Sequence, residues 1–317
     1  MVMINLVLDL DTGIDDAIAL SIAAKDESIN LLGVTCTYGN VTVDESAYNT
    51  LALLSLLDRS DVPVYKGRDR ALLSSSPYFP HEAGRKIHGP KGSGDITLKE
   101  SKRSIEKINA IDYLSSLMMK RDDITIITTG PMTNLASVLS SYPTLSSWKG
   151  KVIFMGGALT VRGNVNHFAE ANIFKDPEAA KIVVESGLDV TMIGLDVTER
   201  TRLYRTNAEK WKDRGSEIGE TLGSMLNYYL DNTLGMDETY VHDPSAVIAS
   251  LHPEYYSFLP LPLTVETEGL DRGRVVVDEK RLLDRDKMVK VALDVDRVKL
   301  EGFLSSFDKY QQDKQSF

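Results

Sequence analysis

The sequence predicts an α/β protein, doubly wound around a mostly parallel open sheet with helices on both faces, and finished by a C-terminal α+β extension. Three observations carry that expectation. Short β-branched runs alternate with helix-period stretches along most of the chain, the pattern of repeated strand–helix–strand units. The strand runs are continuously apolar instead of alternating, as strands covered on both faces must be. No Pro/Gly/Ser linker divides the 317 residues, so residues 1–317 are read as one domain.

The elements follow in order. INLVLD (4–9) is a strand that turns into a helix from Ile14 to about Lys25, and LLGVTCT (31–37) is the next strand. A helix is expected from about Val43 to Leu57, another over Ile108–Lys120, and a buried strand at ITIITT (124–129). Met132–Ser140 reads as helix, KVIFM (151–155) as strand, the stretch from Pro177 as helix and DVTMIGLD (189–196) as strand. Beyond Asn207 the pattern changes: one long helical stretch to about Asp231, a helix from Pro244, then strands at LPLTVE, RVVVD and MVKVAL. These are expected to pack on the sheet as an extension. Residues 66–98 and 156–175 are irregular, and loops of that length are usually functional or mobile.

Hydrophobic residues make up 42% and charged residues 26% of the chain, ordinary proportions that allow a sizeable core. A formal net charge of -10 argues against a nucleic-acid backbone or an anionic membrane as partner. Cys36 is the sole cysteine. No internal disulfide is therefore available, and in an apolar strand the thiol reads as a small buried hydrophobe. With no basic n-region and no long apolar run, the chain is read without a signal peptide or membrane span, and the cytoplasm is the expected compartment.

In open α/β sheets, ligands bind beyond the carboxyl ends of the strands. There the first strand delivers LDLDTGIDDAI, with Asp9, Asp11, Asp15 and Asp16 inside eight positions. Capping a helix needs one or two carboxylates; four point to a hard divalent cation held by oxygen ligands. Asp11 and Asp16 can face one point across the turn, and Thr129 could add a backbone carbonyl. Asp243, in His242-Asp243-Pro244, is either a further ligand or a helix N-cap, and both readings stay open. The same dipeptide at Asp176-Pro177 is taken as capping. Asn164, Asn166, Glu170 and Asn172 crowd one loop, and such amides with a carboxylate suit the hydroxyls of a sugar. GxxxxGK and GxGxxG are absent after the first strand, so a neutral polyhydroxyl ligand fits better than a phosphorylated one. None of the five histidines has zinc-type spacing. His242 beside Asp243 and His88 in IHGPKGSG are the ones placed to take part in chemistry.

Taken together, these segments resemble the inosine–uridine nucleoside hydrolases, which cleave the N-glycosidic bond of ribonucleosides. DLDTGIDDA resembles the family's DxDPGxDDA signature. GN at 39–40, IHG at 87–89, TGPMTNLA at 129–136, MGG at 155–157, the spacing of Asn164, Glu170 and Asn172, and VHDP at 241–244 follow in the family's order. The similarity spans about residues 4–251. Thr12 stands where the family usually has proline; threonine could cap the following helix, so rigidity more than chemistry should change.

The resemblance implies the nucleoside hydrolase fold and one calcium ion held by Asp11, Asp16, the Thr129 carbonyl and Asp243. Asp15, Asn164, Glu170, Asn172 and the Met155 backbone would bind the ribose, with Asn40 and His88 near the base or its closing loop. His242 would protonate the leaving base, and Asp11 would act as general base on a calcium-bound water. The implied role is purine or pyrimidine nucleoside salvage by a homodimer or homotetramer. Two rival readings remain. An aspartyl-phosphate phosphohydrolase also opens with DxD after a strand, but it wants Thr or Val where Gly13 stands. A calcium-stabilised binding protein would recognise nucleosides without cleaving them.

Overall fold

The structure, a computed structural model, describes residues 3–233, 237–283 and 287–307. β1 (Ile4–Leu10) is followed by α1 (Ile14–Lys25), β2 (Ile29–Cys36), α2 (Val43–Leu56), β3 (Val64–Lys66), α3 (Glu82–His88), α4 (Ala110–Lys120), β4 (Ile124–Thr128) and α5 (Thr133–Ser141). Then come β5 (Lys151–Met155), α6 (Ala171–Lys175), α7 (Pro177–Val184), β6 (Asp189–Ile193), α8 (Leu195–Thr198), β7 (Arg202–Tyr204), α9 (Arg205–Asp213) and α10 (Glu217–Asn232). The chain continues through β8 (Glu238–Tyr240), α11 (Asp243–Leu251), β9 (Tyr256–Leu261), β10 (Leu263–Val265), β11 (Val275–Val277), β12 (Val289–Val295) and α12 (Arg297–Ser306).

Eight strands form one sheet in the order β3-β2-β1-β4-β5-β6-β12-β9. Every neighbouring pair is parallel except β12 with β9. Because successive strand residues point to opposite faces, the apolar runs feed two cores. Leu6, Leu8 and Leu10 of β1 join α1, α2, α10 and α11 on one face. Val7 joins Ile126, Val152 and Phe154 with residues of α4, α5 and α7 on the other. That is the doubly wound arrangement expected from continuously apolar strands. The strand order reverses between β1 and β4, and a crevice opens beyond the carboxyl ends at such a switch point.

Three sequence expectations change in the C-terminal half. The single helix from Asn207 to Asp231 is two, α9 and α10, parted at Gly215. Its φ of +68° is a left-handed conformation that glycine adopts freely. Ser216 then caps α10 by accepting the Gly219 amide at 3.1 Å. The C-terminal strands do not simply pack on the sheet, since β12 enters it parallel to β6. β9, at the edge, was not among the expected strands, and it contains Pro260. Pro260 lies opposite Lys290, and an edge strand tolerates the missing donor. The two irregular stretches also hold short helices, α3 and α6. No described helix is long and apolar enough to cross a membrane.

Candidate active site

The aspartates lie where β1 ends and α1 begins. Asp9, still inside the strand, is buried. Its Oδ1 accepts hydrogen bonds from Thr35 Oγ1 at 2.7 Å and Asn134 Nδ2 at 2.7 Å, and burial pushes its carboxyl up to about 7. It therefore supports the strand behind the site. Asp16 takes the Gly13 amide at 2.8 Å and the Thr129 hydroxyl at 2.6 Å. Gly13, not Thr12, is the N-cap of α1. The Thr12 hydroxyl turns to α2, lying 2.7 Å from Thr50 Oγ1 and accepting from Ser46 at 3.2 Å. The threonine thus fastens two helices together and does not cap α1.

Asp11 is fully buried and surrounded by donors. Its Oδ2 accepts from the Asn40 amide at 2.7 Å and from Lys175 Nζ at 3.3 Å, and its Oδ1 from Asn40 Nδ2 at 3.2 Å. The carboxylate fits because Gly39 has no side chain: a Cβ there would lie 1.9 Å from Asp11 Oδ2. Burial opposes the charge of Lys175, but Asp11, Tyr78 and Glu170 outweigh it and hold the ammonium above its ordinary value.

Asp15, Asp16 and Asp243 each offer an oxygen, all within 4.8 Å of one another. Asp11 stands beside this trio, engaged by Asn40 and Lys175. The expectation that paired Asp11 with Asp16 and gave Asp15 to the sugar thus meets a structure in which Asp15 shares the tight cluster. Burial, then the neighbouring carboxylates, push Asp16 and Asp243 well above the usual range.

The two Asp-Pro dipeptides part company here. Asp176 caps α7 by accepting the Ala179 amide at 3.1 Å. No side-chain cap closes α11, and Asp243 Oδ2 is buried with no hydrogen-bond partner among the described residues. A buried carboxylate oxygen without a donor, among like charges, fits a bound cation.

The remaining expected residues surround the same strand ends. Asn172 Nδ2 donates to the Thr129 carbonyl at 2.6 Å and the Met155 carbonyl at 3.2 Å, tying β4 to β5. Glu170 is the N-cap of α6, accepting from the amides of Asn172 and Gly157 at 2.9 Å and Ile173 at 3.2 Å. Asn164 is exposed and accepts the Ala171 amide at 3.0 Å, at the rim of this group. His88 is buried, and burial pushes it down to about 4. Its Nδ1 accepts the Ile14 amide at 3.2 Å, so the neutral ring carries its proton on Nε2. His242 Nδ1 sits 2.9 Å from Thr198 Oγ1. Burial lowers its basicity, and Asp15 works in the opposite direction.

A family model described as inosine-uridine preferring nucleoside hydrolase matches residues 6–302. This chain belongs to the inosine-uridine preferring nucleoside hydrolase family. The hydrolase is 32% identical over 298 residues to the pyrimidine-specific ribonucleoside hydrolase RihA of Klebsiella pneumoniae subsp. pneumoniae, spanning 92% of this chain and 94% of that protein. Among solved structures, it matches a purine-preferring ribonucleoside hydrolase from Gardnerella vaginalis with a TM-score of 0.93 and 38% identity, over 97% and 99% of the two chains. A plant nucleoside hydrolase follows with a TM-score of 0.90 and 30% identity, over 96% and 98%. The protein is an enzyme, and its reaction is hydrolysis of the N-glycosidic bond of ribonucleosides.

Two residues beside the hydrolase's candidate site receive no role from the sequence. Tyr229 of α10 lies 5.5 Å from the His88 ring, centroid to centroid, and burial with Asp15, Asp243 and Asp16 suppresses its ionisation. Lys175 could have been found from its spacing: three residues beyond Asn172, it shares that residue's helix face.

Proposed function

We propose that this hydrolase depends on one calcium ion and uses Asp11 as the general base. The observation that carries the reading is the buried trio of Asp15, Asp16 and Asp243, with Asp243 Oδ2 lacking a hydrogen-bond partner among the described residues. Asp16, Asp243, Asp11 and the Thr129 carbonyl would hold the ion; an all-oxygen donor set suits calcium and not zinc. Bound there, the ion supplies acidity to a water molecule and a positive anchor for ribose hydroxyls.

The chain's own residues do the rest. Asp11, held by three N–H donors, takes the proton of the attacking water. Asp15, Asn164, Glu170, Asn172 and the Met155 backbone grip the ribose and hold its anomeric carbon against that water. As the glycosidic bond breaks, the buried carboxylates stabilise the oxocarbenium-like sugar. As an imidazolium, its charge favoured by Asp15, His242 would donate from Nδ1 to Thr198 Oγ1, 2.9 Å away, and give its Nε2 proton to the departing base, returning to the neutral ring. His88, Asn40 and Tyr229 lie where they would line the base side. Ribonucleosides of either base class, free in the cytoplasm, are the proposed substrates, and a homodimer or homotetramer the proposed assembly.

The test is ribose release from inosine, uridine, cytidine and adenosine, followed as reducing sugar. Turnover is expected to stop in a calcium chelator and to return on adding calcium. Asp11→Ala should lose about 100-fold to 10,000-fold in kcat, the usual contribution of a general base, while staying folded. Full turnover in the chelator would overturn the calcium reading, and near-normal turnover in Asp11→Ala the assignment of the base.

A further inference from the structure

Lys175 reaches the catalytic carboxylate from the far side of the site. It is the last residue of α6, its side chain is 12% exposed and that of Asp11 not at all. Its Nζ stands 3.3 Å from Asp11 Oδ2 and 3.2 Å from Asn40 Oδ1. An ammonium has donors only, so the amide atom facing it must be the oxygen. That choice sends Asn40 Nδ2 toward Asp11 Oδ1 at 3.2 Å and Asp16 Oδ2 at 3.4 Å. Flipping the amide would set its NH2 against the ammonium and its oxygen against two carboxylates, which is unfavourable on both sides. Lys175 therefore fixes Asn40, and the two together fix Asp11.

The carboxylate has little other freedom. The Asn40 backbone amide holds Oδ2 at 2.7 Å, and Cβ positions built at Gly39 and Gly130 fall 1.9 Å from Asp11 Oδ2 and 3.0 Å from Asp11 Cβ. The backbone thus approaches Asp11 closely on both sides, and Lys175 with Asn40 supplies the side-chain bonds that set its rotation.

We infer that Lys175 is a positioning residue for the hydrolysis: through the Asn40 amide and its own bond to Asp11, it holds that carboxylate in the orientation that receives the proton of the attacking water. The inference rests on the reading of Asp11 as general base. Lys175 Nζ is engaged by Asp11 and Asn40, so its loss is expected to fall on turnover more than on substrate affinity.

Lys175→Met keeps the length of the side chain and removes its donors. Its kcat is expected to fall about 10-fold to 100-fold, in the range of a misplaced reacting group, with KM within about threefold and an unchanged melting temperature. Lys175→Cys should show the same deficit. Alkylating that variant with bromoethylamine rebuilds a lysine-like ammonium, and single addition is verified by mass. Cys36 does not interfere: it is buried, and burial pushes its thiol up to about 12.

Recovery of most of the wild-type kcat on aminoethylation, with none after iodoacetamide, is the expected result. A kcat for Lys175→Met within about twofold of wild type would overturn the inference, as would a deficit that verified aminoethylation leaves untouched. Asp11→Ala separates the two layers: if it is inactive while Lys175→Met is normal, only the role of Lys175 falls. If Asp11→Ala turns over normally, the reading beneath it falls.

Discussion

Replacing Asp243 with asparagine should stabilise the metal-free protein and abolish its response to calcium. Asp15, Asp16 and Asp243 each present one oxygen, and these lie no more than 4.8 Å from one another. At that separation and an effective dielectric of about 20, two unit charges repel by about 3.5 kcal/mol. Asp243 takes part in two such pairs, about 7 kcal/mol if all three stay ionised. Protonation limits the cost, because keeping an ordinary carboxyl neutral at pH 7 takes about 4 kcal/mol. An amide of the same shape carries neither cost.

Taking about half to all of that 4 kcal/mol, and about 2 °C per kcal/mol for a chain of this size, Asp243→Asn should melt about 4–8 °C above wild type in a chelator. Calcium at about a hundredfold over its Kd should stabilise the wild type by about 2.7 kcal/mol and the variant hardly at all. The assay is thermal unfolding of both proteins with chelator and across a calcium titration. A variant that melts no higher than wild type in the chelator would refute the electrostatic argument. Equal calcium shifts in the two proteins would refute the placement of the ion.

Two further substitutions test neighbouring parts of the site. Gly39→Ala drives a methyl to within 1.9 Å of Asp11 Oδ2 and should displace that carboxylate, costing about 1–3 kcal/mol of stability from overpacking and most of kcat, read by melting and by ribose release. Thr12→Val deletes the hydroxyl between Thr50 and Ser46 while keeping the shape; it should lose about 1–3 kcal/mol in unfolding by denaturant, with kcat within about threefold because no contact to Asp11 changes.

Much of the candidate site was legible in the sequence because Asp11, Thr129 and Met155 sit at strand ends, where an apolar run stops and a short polar signature begins. DLDTGIDDA, TGP and MGG each announce such an end, and the parallel sheet brings them together. Thr12 was misread because the sequence shows only its own helix: its hydroxyl goes to Thr50 and Ser46, well down the chain. The break at Gly215 and the edge strand β9 were missed for local reasons. A single glycine inside a helical period and a proline in a strand are both weak signals until tertiary pairing decides them.

The sequence by itself determined the central parallel strands, most of the helices that cover them and the gathering of four aspartates where β1 meets α1, because periodicity and helix-start chemistry are local. Only the tertiary structure separated two identical Asp-Pro dipeptides into a helix cap at 176 and, at 243, a buried carboxylate clustered with Asp15 and Asp16 of a different helix. It also set Lys175 against Asn40 and Asp11, partners separated by 135 and 164 residues. A lysine's charge acquires a role only from the groups folded around it, and no local pattern records which those are.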